Sequence, residues 1–220
     1  MGRKQQKYAI GLFSGGLDSA VSIALALRRG VRVKLLLFFD YGQKAGQAEL
    51  KAVRSFARYW KIPYQVVRLE WLGKLSSDCA LTNPGKKIPQ LRPADLGNRR
   101  RLLKTAEAVW VPNRNGLFIN IAAAFAEVME ANYIITGFNR EEARTFPDNS
   151  SGFIKSINRT FRWGTRNRVR VVSYTSNLDK QGIMKAGKRL GLPLEKTWSC
   201  YAGGNKPCGK CESCLRRQNP

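Results

Sequence analysis

Histidine is absent: none of the 220 residues is a histidine. Catalytic arrangements that need an imidazole, such as Ser-His-Asp or Cys-His, are therefore excluded. A metal in this chain can be bound only by cysteine, aspartate or glutamate side chains. Any enzyme chemistry must come from other residue types.

Acidic residues are scarce, with 15 Asp and Glu against 39 Lys and Arg, a net charge of +24. This balance fits a nucleic-acid partner, acidic small molecules or a basic solvated surface, and charge alone does not choose among them. Basic residues are densest at residues 99–104, 159–170 and 216–217. We expect Arg99, Arg100 and Arg101 to lie in a solvated loop.

Long hydrophobic runs are also missing. No stretch approaches the roughly 18 apolar residues of a membrane span, and residues 1–7 lead into an apolar run that does not resemble a secretory cleavage region. The hydrophobic content of 43% is sufficient for one large domain, alone or with a small appendage. We expect a cytoplasmic protein with no membrane association.

Apolar runs alternate with helical patterns along the chain, as in doubly wound α/β domains. The run at residues 31–39 is too continuously apolar for a sheet with one wet face. We therefore predict an α/β fold with a doubly wound, mostly parallel five-stranded sheet. The predicted strands cover residues 8–13, 31–39, 64–69, 133–136 and 169–172, and the predicted helices residues 17–29, 47–60, 116–130, 153–161 and 180–190.

A glycine-rich loop joins the first predicted strand to the first helix, with the sequence Ser14-Gly15-Gly16-Leu17-Asp18-Ser19. Glycines after a buried strand let the backbone approach a ligand, and a helix N-terminus presents free N–H groups to an anion. The alternative is a purely structural role, in which a serine caps the helix after a glycine turn and no ligand binds. The hexapeptide resembles the S-G-G-x-D-S loop of PP-loop ATP pyrophosphatases, which implies an adenine nucleotide alpha hydrolase-like fold.

Four cysteines close the chain: Cys200, Cys208, Cys211 and Cys214. Their spacing favours a closed, structural Zn2+ site, for which Gly203, Gly204 and Gly209 supply the turns. Disulfides and an iron–sulfur cluster are the alternatives. We predict a nucleotide-binding domain at residues 1–195 and a zinc-binding segment at residues 196–220. Cys79 is predicted to be an unpaired, partly buried thiol.

Residues 70–110 break the α/β pattern and are rich in Gly, Pro, Asn and Lys. Long loops in compact domains are uncommon unless they serve as lids or are disordered. We interpret this insertion as a cover over the site or a partner-binding element. Beyond it, Asn113 could cap the next helix and Arg114 could reach an anion.

Taken in order, these segments resemble the 7-cyano-7-deazaguanine synthases, PP-loop enzymes of queuosine and archaeosine precursor synthesis. The resemblance spans nearly the whole chain. It rests on residues 13–19, Asp40-Tyr41-Gly42-Gln43, Val111-Pro112-Asn113-Arg114-Asn115, Gly137 with Asn139 and Glu141, Pro147-Asp148, and residues 191–194, 197–201 and 208–214.

The resemblance implies that ATP adenylates 7-carboxy-7-deazaguanine, that ammonia displaces AMP to give an amide, and that a second ATP-dependent round yields the nitrile. It implies ATP and Mg2+ as cofactors beside structural Zn2+, and suggests a homodimer. The implied ATP-binding residues are Phe13, Ser14, Gly15, Gly16, Leu17, Asp18, Ser19, Asp40 and Gln43. The implied catalytic residues are Asp18, Ser19 and Lys180, and the substrate-binding residues Arg114, Asn139, Glu141 and Asp148.

Three positions depart from the family pattern. Lys44-Ala45 stands where a histidine is usual, Asn149 replaces a cysteine and Phe146 replaces a tyrosine. These departures are compatible with an enzyme that stops at the amide or transfers activated deazaguanine to another acceptor. Two further alternatives are a PP-loop enzyme that adenylates a base within tRNA, and a non-enzymatic zinc-containing nucleic-acid-binding module. The intact loop at residues 14–19 argues against the last.

Overall fold

Five parallel strands form one sheet in the computed structural model, which describes residues 6–218. The strands are β1 (Tyr8–Leu12), β2 (Arg32–Asp40), β3 (Tyr64–Arg68), β4 (Tyr133–Thr136) and β5 (Arg170–Ser173). Their order across the sheet is β3-β2-β1-β4-β5, and all four pairings are parallel. The predicted α/β class and parallel five-stranded sheet are confirmed.

Eight α-helices connect or flank the strands within residues 6–218. They are α1 (Leu17–Arg28), α2 (Gly46–Trp60), α3 (Glu70–Leu75), α4 (Arg99–Ala108), α5 (Arg114–Val128), α6 (Ser151–Gly164), α7 (Lys180–Arg189) and α8 (Glu212–Gln218). None of these helices is long and apolar enough to cross a membrane.

Two apolar cores cover the two faces of the sheet. On one face, Ile10 and Leu37 pack with Ile119 of α5 and Phe161 of α6. On the other face, α1, α2 and α7 contribute the buried side chains Ile23, Val53, Phe56 and Ile183. Strand β2 supplies residues to both cores, which explains its unbroken apolar sequence.

Residues 70–110 are more ordered than the sequence indicated, because they contain α3 and α4. The expectation of a solvated loop at Arg99, Arg100 and Arg101 was wrong, since these residues form the first turn of α4. Asn98 accepts a hydrogen bond from the backbone N–H of Arg101, as an N-cap does. The Arg101 guanidinium lies 2.7 Å from Asp95 Oδ1, which fixes this turn.

The same segment packs closely on the end of β2. A Cβ built on Gly73 would lie 2.1 Å from the carbonyl oxygen of Tyr41, so only glycine fits there. Cys79 is 2% exposed, hence wholly buried and not partly buried as predicted. Leu81 and Val109 reach the cleft described below. The division into domains at residue 195 stays a prediction.

Candidate active site and metal centre

The glycine-rich loop turns sharply from β1 into α1 at the carboxyl edge of the sheet. Gly15 adopts φ +76°, and a Cβ there would lie 2.7 Å from both Ala52 Cβ and the Glu49 carbonyl oxygen. Gly16 is the N-cap residue of α1, and no side chain caps the helix. The first N–H groups of α1 are thus open to an anion such as a phosphate group. We call the loop at residues 14–19 the phosphate cradle, or cradle.

The loop after β4 touches the start of α1. A Cβ on Gly137 would lie 2.5 Å from the backbone nitrogen of Ser19. Nearby, the buried Ser22 hydroxyl donates to the Thr136 carbonyl at 2.6 Å. These contacts leave no room for a side chain at residue 137, and they fix β4 against the cradle.

Lys180, the first residue of α7, holds Asp18 of α1. Its Nζ lies 2.9 and 2.7 Å from the two Asp18 carboxylate oxygens and 3.7 Å from Glu142 Oε1. Burial alone would lower the pKa of Lys180, but the charges of Asp18 and Glu142 outweigh burial and raise it. Burial raises the pKa of Glu142, against the attraction of Lys180. Lys180 therefore stays charged beside the cradle.

Arg114 lines the same cleft as the glycine-rich loop at residues 14–19. Its guanidinium donates to the Tyr41 hydroxyl at 3.2 Å and lies 5.9 Å from the centre of that ring. Phe39 and Phe118 stack beside it, with ring centres 4.1 Å apart. Burial opposes the charge of Arg114, but Tyr41 and Asp148 more than offset burial, so its pKa is raised. A permanent cation thus faces an aromatic surface in a partly buried cleft.

Asn113, the residue before Arg114, does not have the capping role that the sequence predicted. Asn113 occupies the N-cap position of α5 with φ 50°, a left-handed conformation, and its side chain makes no capping hydrogen bond. The predicted side-chain cap was therefore wrong. The Asn113 side chain instead lies over Gly116, where a Cβ would come within 2.1 Å of its Oδ1.

Glu49 and Gln43 also line the cleft. Gln43 Nε2 donates to the Phe39 carbonyl and to Glu49 Oε2, both at 3.0 Å. Gln43 Oε1 accepts the backbone N–H of Tyr41 at 2.9 Å. Burial raises the pKa of Glu49, with the Gln43 hydrogen bond opposing it. Asp40 lies outside the lining and accepts the backbone N–H of Gly42.

Glu141 links the cleft's edge to the C-terminal helix. Its Oε1 accepts the backbone N–H of Lys180 at 3.0 Å, and its Oε2 lies 2.7 Å from Arg216 of α8. Asn139 is fully buried, and its Oδ1 accepts the N–H groups of Glu141 and Glu142. Both side chains therefore order the loop after β4 in this structure.

The four C-terminal cysteines converge. Their sulfur atoms all lie within 4.8 Å of one another, close to the edges of about 3.8 Å that four Zn–S bonds of ~2.3 Å would give. Backbone N–H groups of Cys208 and Cys211 point at cysteine sulfurs at 3.3 and 3.4 Å. The Cys208 and Cys214 sulfurs are 4.0 Å apart, so they form no disulfide. Gly203, Gly204 and Gly209 all have positive φ, as the predicted turns require.

The cysteine segment also lines the cleft. Trp198 donates its backbone N–H to the Gly15 carbonyl at 2.9 Å, which ties the cradle to this segment. Ser199, Tyr201 and Ser213 join Trp198 in the cleft wall. These residues were not predicted as site residues. The signal was available, since they flank or lie between the cysteine ligands.

The cleft gathers about half of the predicted site residues. Those that line it are Phe13, Ser14, Gly16, Asp18, Ser19, Gln43 and Arg114. Those that are not part of its lining are Gly15, Leu17, Asp40, Asn139, Glu141, Asp148 and Lys180. Lining residues that the sequence analysis did not select include Tyr41, Glu49, Phe118 and Glu142. The individual roles stay predictions.

A parallel sheet of this order, with a glycine-rich cradle at the end of its first strand, defines a PP-loop protein. Within that class the chain belongs to the QueC family, because the family model described as "Queuosine biosynthesis protein QueC" matches residues 8–220.

Three curated relatives are each named 7-cyano-7-deazaguanine synthase. The protein from Pelotomaculum thermopropionicum is 48% identical over 94% of this chain and 93% of its own length. That from Carboxydothermus hydrogenoformans is 49% identical over 94% and 95%. An archaeal relative, from Methanosarcina mazei, is 42% identical over 95% and 91%. These names support a synthase function for the chain.

Proposed function

We propose that this chain converts 7-carboxy-7-deazaguanine and ammonia to 7-cyano-7-deazaguanine, using two molecules of ATP. The proposal draws on the names of relatives that match nearly the full length. The observation that carries it is Arg114, which forms no ion pair with any carboxylate of residues 6–218. A partly buried guanidinium beside aromatic rings suits a planar, anionic substrate.

In the first round, a substrate carboxylate oxygen attacks the α-phosphorus of ATP, and the bond to pyrophosphate breaks. Ammonia then attacks the acyl carbon, loses a proton, and displaces AMP to leave an amide. In the second round, the amide oxygen attacks the α-phosphorus of a second ATP and pyrophosphate leaves, which gives an adenylated imidate. Loss of AMP and of the amide protons gives the nitrile. One cleft serves both rounds, because each begins with an oxygen nucleophile at the same carbon.

The cradle residues would act on the leaving pyrophosphate. The N–H groups at the start of α1 and the hydroxyls of Ser14 and Ser19 are placed to stabilise charge that develops there. Lys180 would hold Asp18 in position and add a fixed positive charge. Asp18 and Glu142, whose carboxylates line the cleft, are the proposed protein ligands of Mg2+, which would neutralise the phosphates.

The cysteine cluster fits Zn2+, since four sulfurs within 4.8 Å of one another can supply all four ligands of a tetrahedral site and leave no position for water. Its proposed role is structural, holding Trp198 and Tyr201 in the cleft wall. Cysteines that bind a metal and form no disulfide are typical of a reducing compartment, which supports the proposal that the protein acts in the cytoplasm.

A second candidate function ends at the amide, or passes the activated deazaguanine to another acceptor. Phe146 and Asn149, two of the departures from the family pattern, line the cleft. Phe146 stacks parallel to Trp110, with ring centres 6.2 Å apart, and offers no hydroxyl. If a tyrosine or cysteine normally handles ammonia there, the end product would differ while the ATP chemistry stayed the same.

The test incubates the purified protein with ATP, Mg2+, ammonium and 7-carboxy-7-deazaguanine, and follows products by mass spectrometry. AMP together with the nitrile is the expected result. AMP with the amide alone would favour the second candidate, and Asn149→Cys with Phe146→Tyr should then restore the nitrile. Absence of AMP would contradict both candidates.

A further inference from the structure

One segment of the protein carries six exposed cations and an exposed tryptophan. Between Asp148 and Asp179 the sequence contains no Asp or Glu. We call the exposed cations of this stretch the basic face: Lys155, Arg159, Arg162, Arg166, Arg168 and Arg170. They belong to α6, to the turn after it and to the start of β5.

These cations are not used by the fold. None of the six side chains forms an ion pair with a carboxylate of residues 6–218, whereas Arg101, Arg140 and Arg216 each do. Glu127 of α5 touches the region, but it accepts the backbone N–H of Arg166. The basic face therefore presents uncompensated charge to solvent.

The face is arranged on a rigid support. Lys155, Arg159 and Arg162 follow a spacing of four and three residues, which places them on one side of α6 over about 10 Å. The opposite side packs into the core through Phe153 and Ile157. The turn that follows is fixed by Asn167, whose Nδ2 donates to the carbonyls of Ala126 and Ala131.

Trp163 stands among these cations and is 90% exposed. On α6 it lies one turn from Arg159 and next to Arg162. An exposed indole within a cluster of arginines combines phosphate binding with a surface on which an unpaired base can stack. No other aromatic side chain of residues 6–218 is more exposed.

We propose that the basic face binds RNA, with its cations on phosphates and Trp163 stacked on an unpaired base. A second copy of this chain is a poor occupant, because each copy carries +24. A membrane is a poor occupant too, since the apolar side of α6 is committed to the core. Helix α6 begins just after Asn149, which lines the cleft. RNA bound along α6 would therefore start near the edge of the cleft and extend away from it.

The test measures fluorescence anisotropy of a labelled RNA stem-loop at several KCl concentrations. One variant carries Lys155→Gln, Arg159→Gln and Arg162→Gln. Its matched control carries Lys51→Gln, Lys185→Gln and Lys188→Gln, exposed cations of α2 and α7 on the opposite side of the sheet. The first variant should lose affinity and reduce the log–log salt slope by about 2. The control should match the wild type.

A second variant, Trp163→Ala, isolates stacking. We expect it to weaken binding of the stem-loop by about 5- to 150-fold with an unchanged salt slope, and to leave binding of a fully paired RNA duplex of equal length unaffected. Trp71→Ala, a half-exposed tryptophan of α3, is its control. Synthase activity of all four variants should equal that of the wild type, so the outcome is independent of the proposed function.

Equal losses in the two triple variants would overturn the proposal, because binding would then reflect net charge alone. Equal affinity of Trp163→Ala and wild type for the stem-loop would also overturn it. So would binding to phosphatidylserine vesicles without measurable binding to the stem-loop.

Discussion

At the scale of single residues, Arg114 is a cation that lines the cleft without an ion pair to any carboxylate of residues 6–218. Replacement by Gln should reduce kcat/KM for 7-carboxy-7-deazaguanine by about 10- to 150-fold, because a charge-assisted hydrogen bond contributes ~1.5–3 kcal/mol. The KM for ATP should change little. Tyr41→Phe is the matched control, since it removes the hydroxyl that meets Arg114 but keeps the ring. Unchanged kcat/KM in Arg114→Gln would remove Arg114 from the substrate site.

Glu49 makes a prediction about pH. Burial raises its pKa in the folded protein above the ordinary value of 4.5, so ionisation costs folding free energy. That cost is absent well below pH 4.5, where both states are protonated. It grows as pH rises from the unfolded-state pKa towards the raised folded-state pKa, and it is constant above the latter. Glu49→Gln should therefore be more stable than wild type at pH 8, and this advantage should shrink as pH falls and disappear well below pH 4.5.

Urea denaturation at several pH values measures this difference. The control is Glu107→Gln, which makes the same substitution at an exposed carboxylate of α4. If the unfolding free energies of Glu49→Gln and wild type differed by the same amount at every pH, ionisation of Glu49 would carry no burial cost. That result would contradict the prediction.

Between elements, the contact of the β4 loop with α1 depends on one glycine. Gly137→Ala would place a methyl group 2.5 Å from the Ser19 nitrogen, a backbone atom that cannot move alone. We expect a loss of about 1–3 kcal/mol in unfolding free energy and a weaker ATP affinity by isothermal titration calorimetry. Gly97→Ala, where nothing lies within 4 Å of the added carbon, is the control. Wild-type ATP affinity in Gly137→Ala would mean that the cradle adjusts freely.

The ion pair between α1 and α7 is a second test at this scale. Lys180→Met removes the cation that holds Asp18 and should cost about 3–5 kcal/mol of unfolding free energy, because a carboxylate is left in a largely buried position. Adding Asp18→Asn should restore part of this stability. A double-mutant cycle with a coupling energy near zero would show that the two residues act independently.

The elements themselves were largely predictable from sequence. The runs at β1, β2 and β4 are apolar because both faces of the sheet are covered. Such a run can be recognised from a few neighbouring residues, so the strands could be predicted. Helix α4 was missed because its first turn is three arginines, while its buried side is only Leu102, Thr105 and Ala106. The weak apolar stripe of this helix is stabilised by its contacts with the rest of the chain, which sequence periodicity does not register.

At the scale of the whole molecule, the cleft was only partly predictable. The cradle is a continuous hexapeptide, so its sequence signals it directly. Arg114, Tyr41 and Tyr201 are far apart in the sequence, and the sheet order brings them together at one edge. Glu49 lies within a helix whose sequence reads as an ordinary amphipathic surface. These residues come together because of the order of the strands in the sheet. No short stretch of the sequence signals that order.

The segment that holds the cysteine cluster contacts the cradle through Trp198. Loss of the cluster should therefore affect ATP binding and the stability of the whole protein. If the cluster holds Zn2+ as proposed, Cys211→Ser should lower the zinc content measured by inductively coupled plasma mass spectrometry and free the segment that carries Trp198. Because Trp198 is bonded to Gly15 and Arg216 to Glu141, ATP affinity and thermal stability should fall together. A chelator should reproduce both losses in the wild type.

Cys79→Ser is the matched control, because Cys79 is buried but lies outside the cluster. It should keep the metal and the ATP affinity while losing some stability from its apolar surroundings. If Cys211→Ser lost its metal but bound ATP as well as Cys79→Ser does, the cluster would stabilise only its own segment. The bond from Trp198 to Gly15 would then be a consequence of the cradle's geometry and not a cause of it.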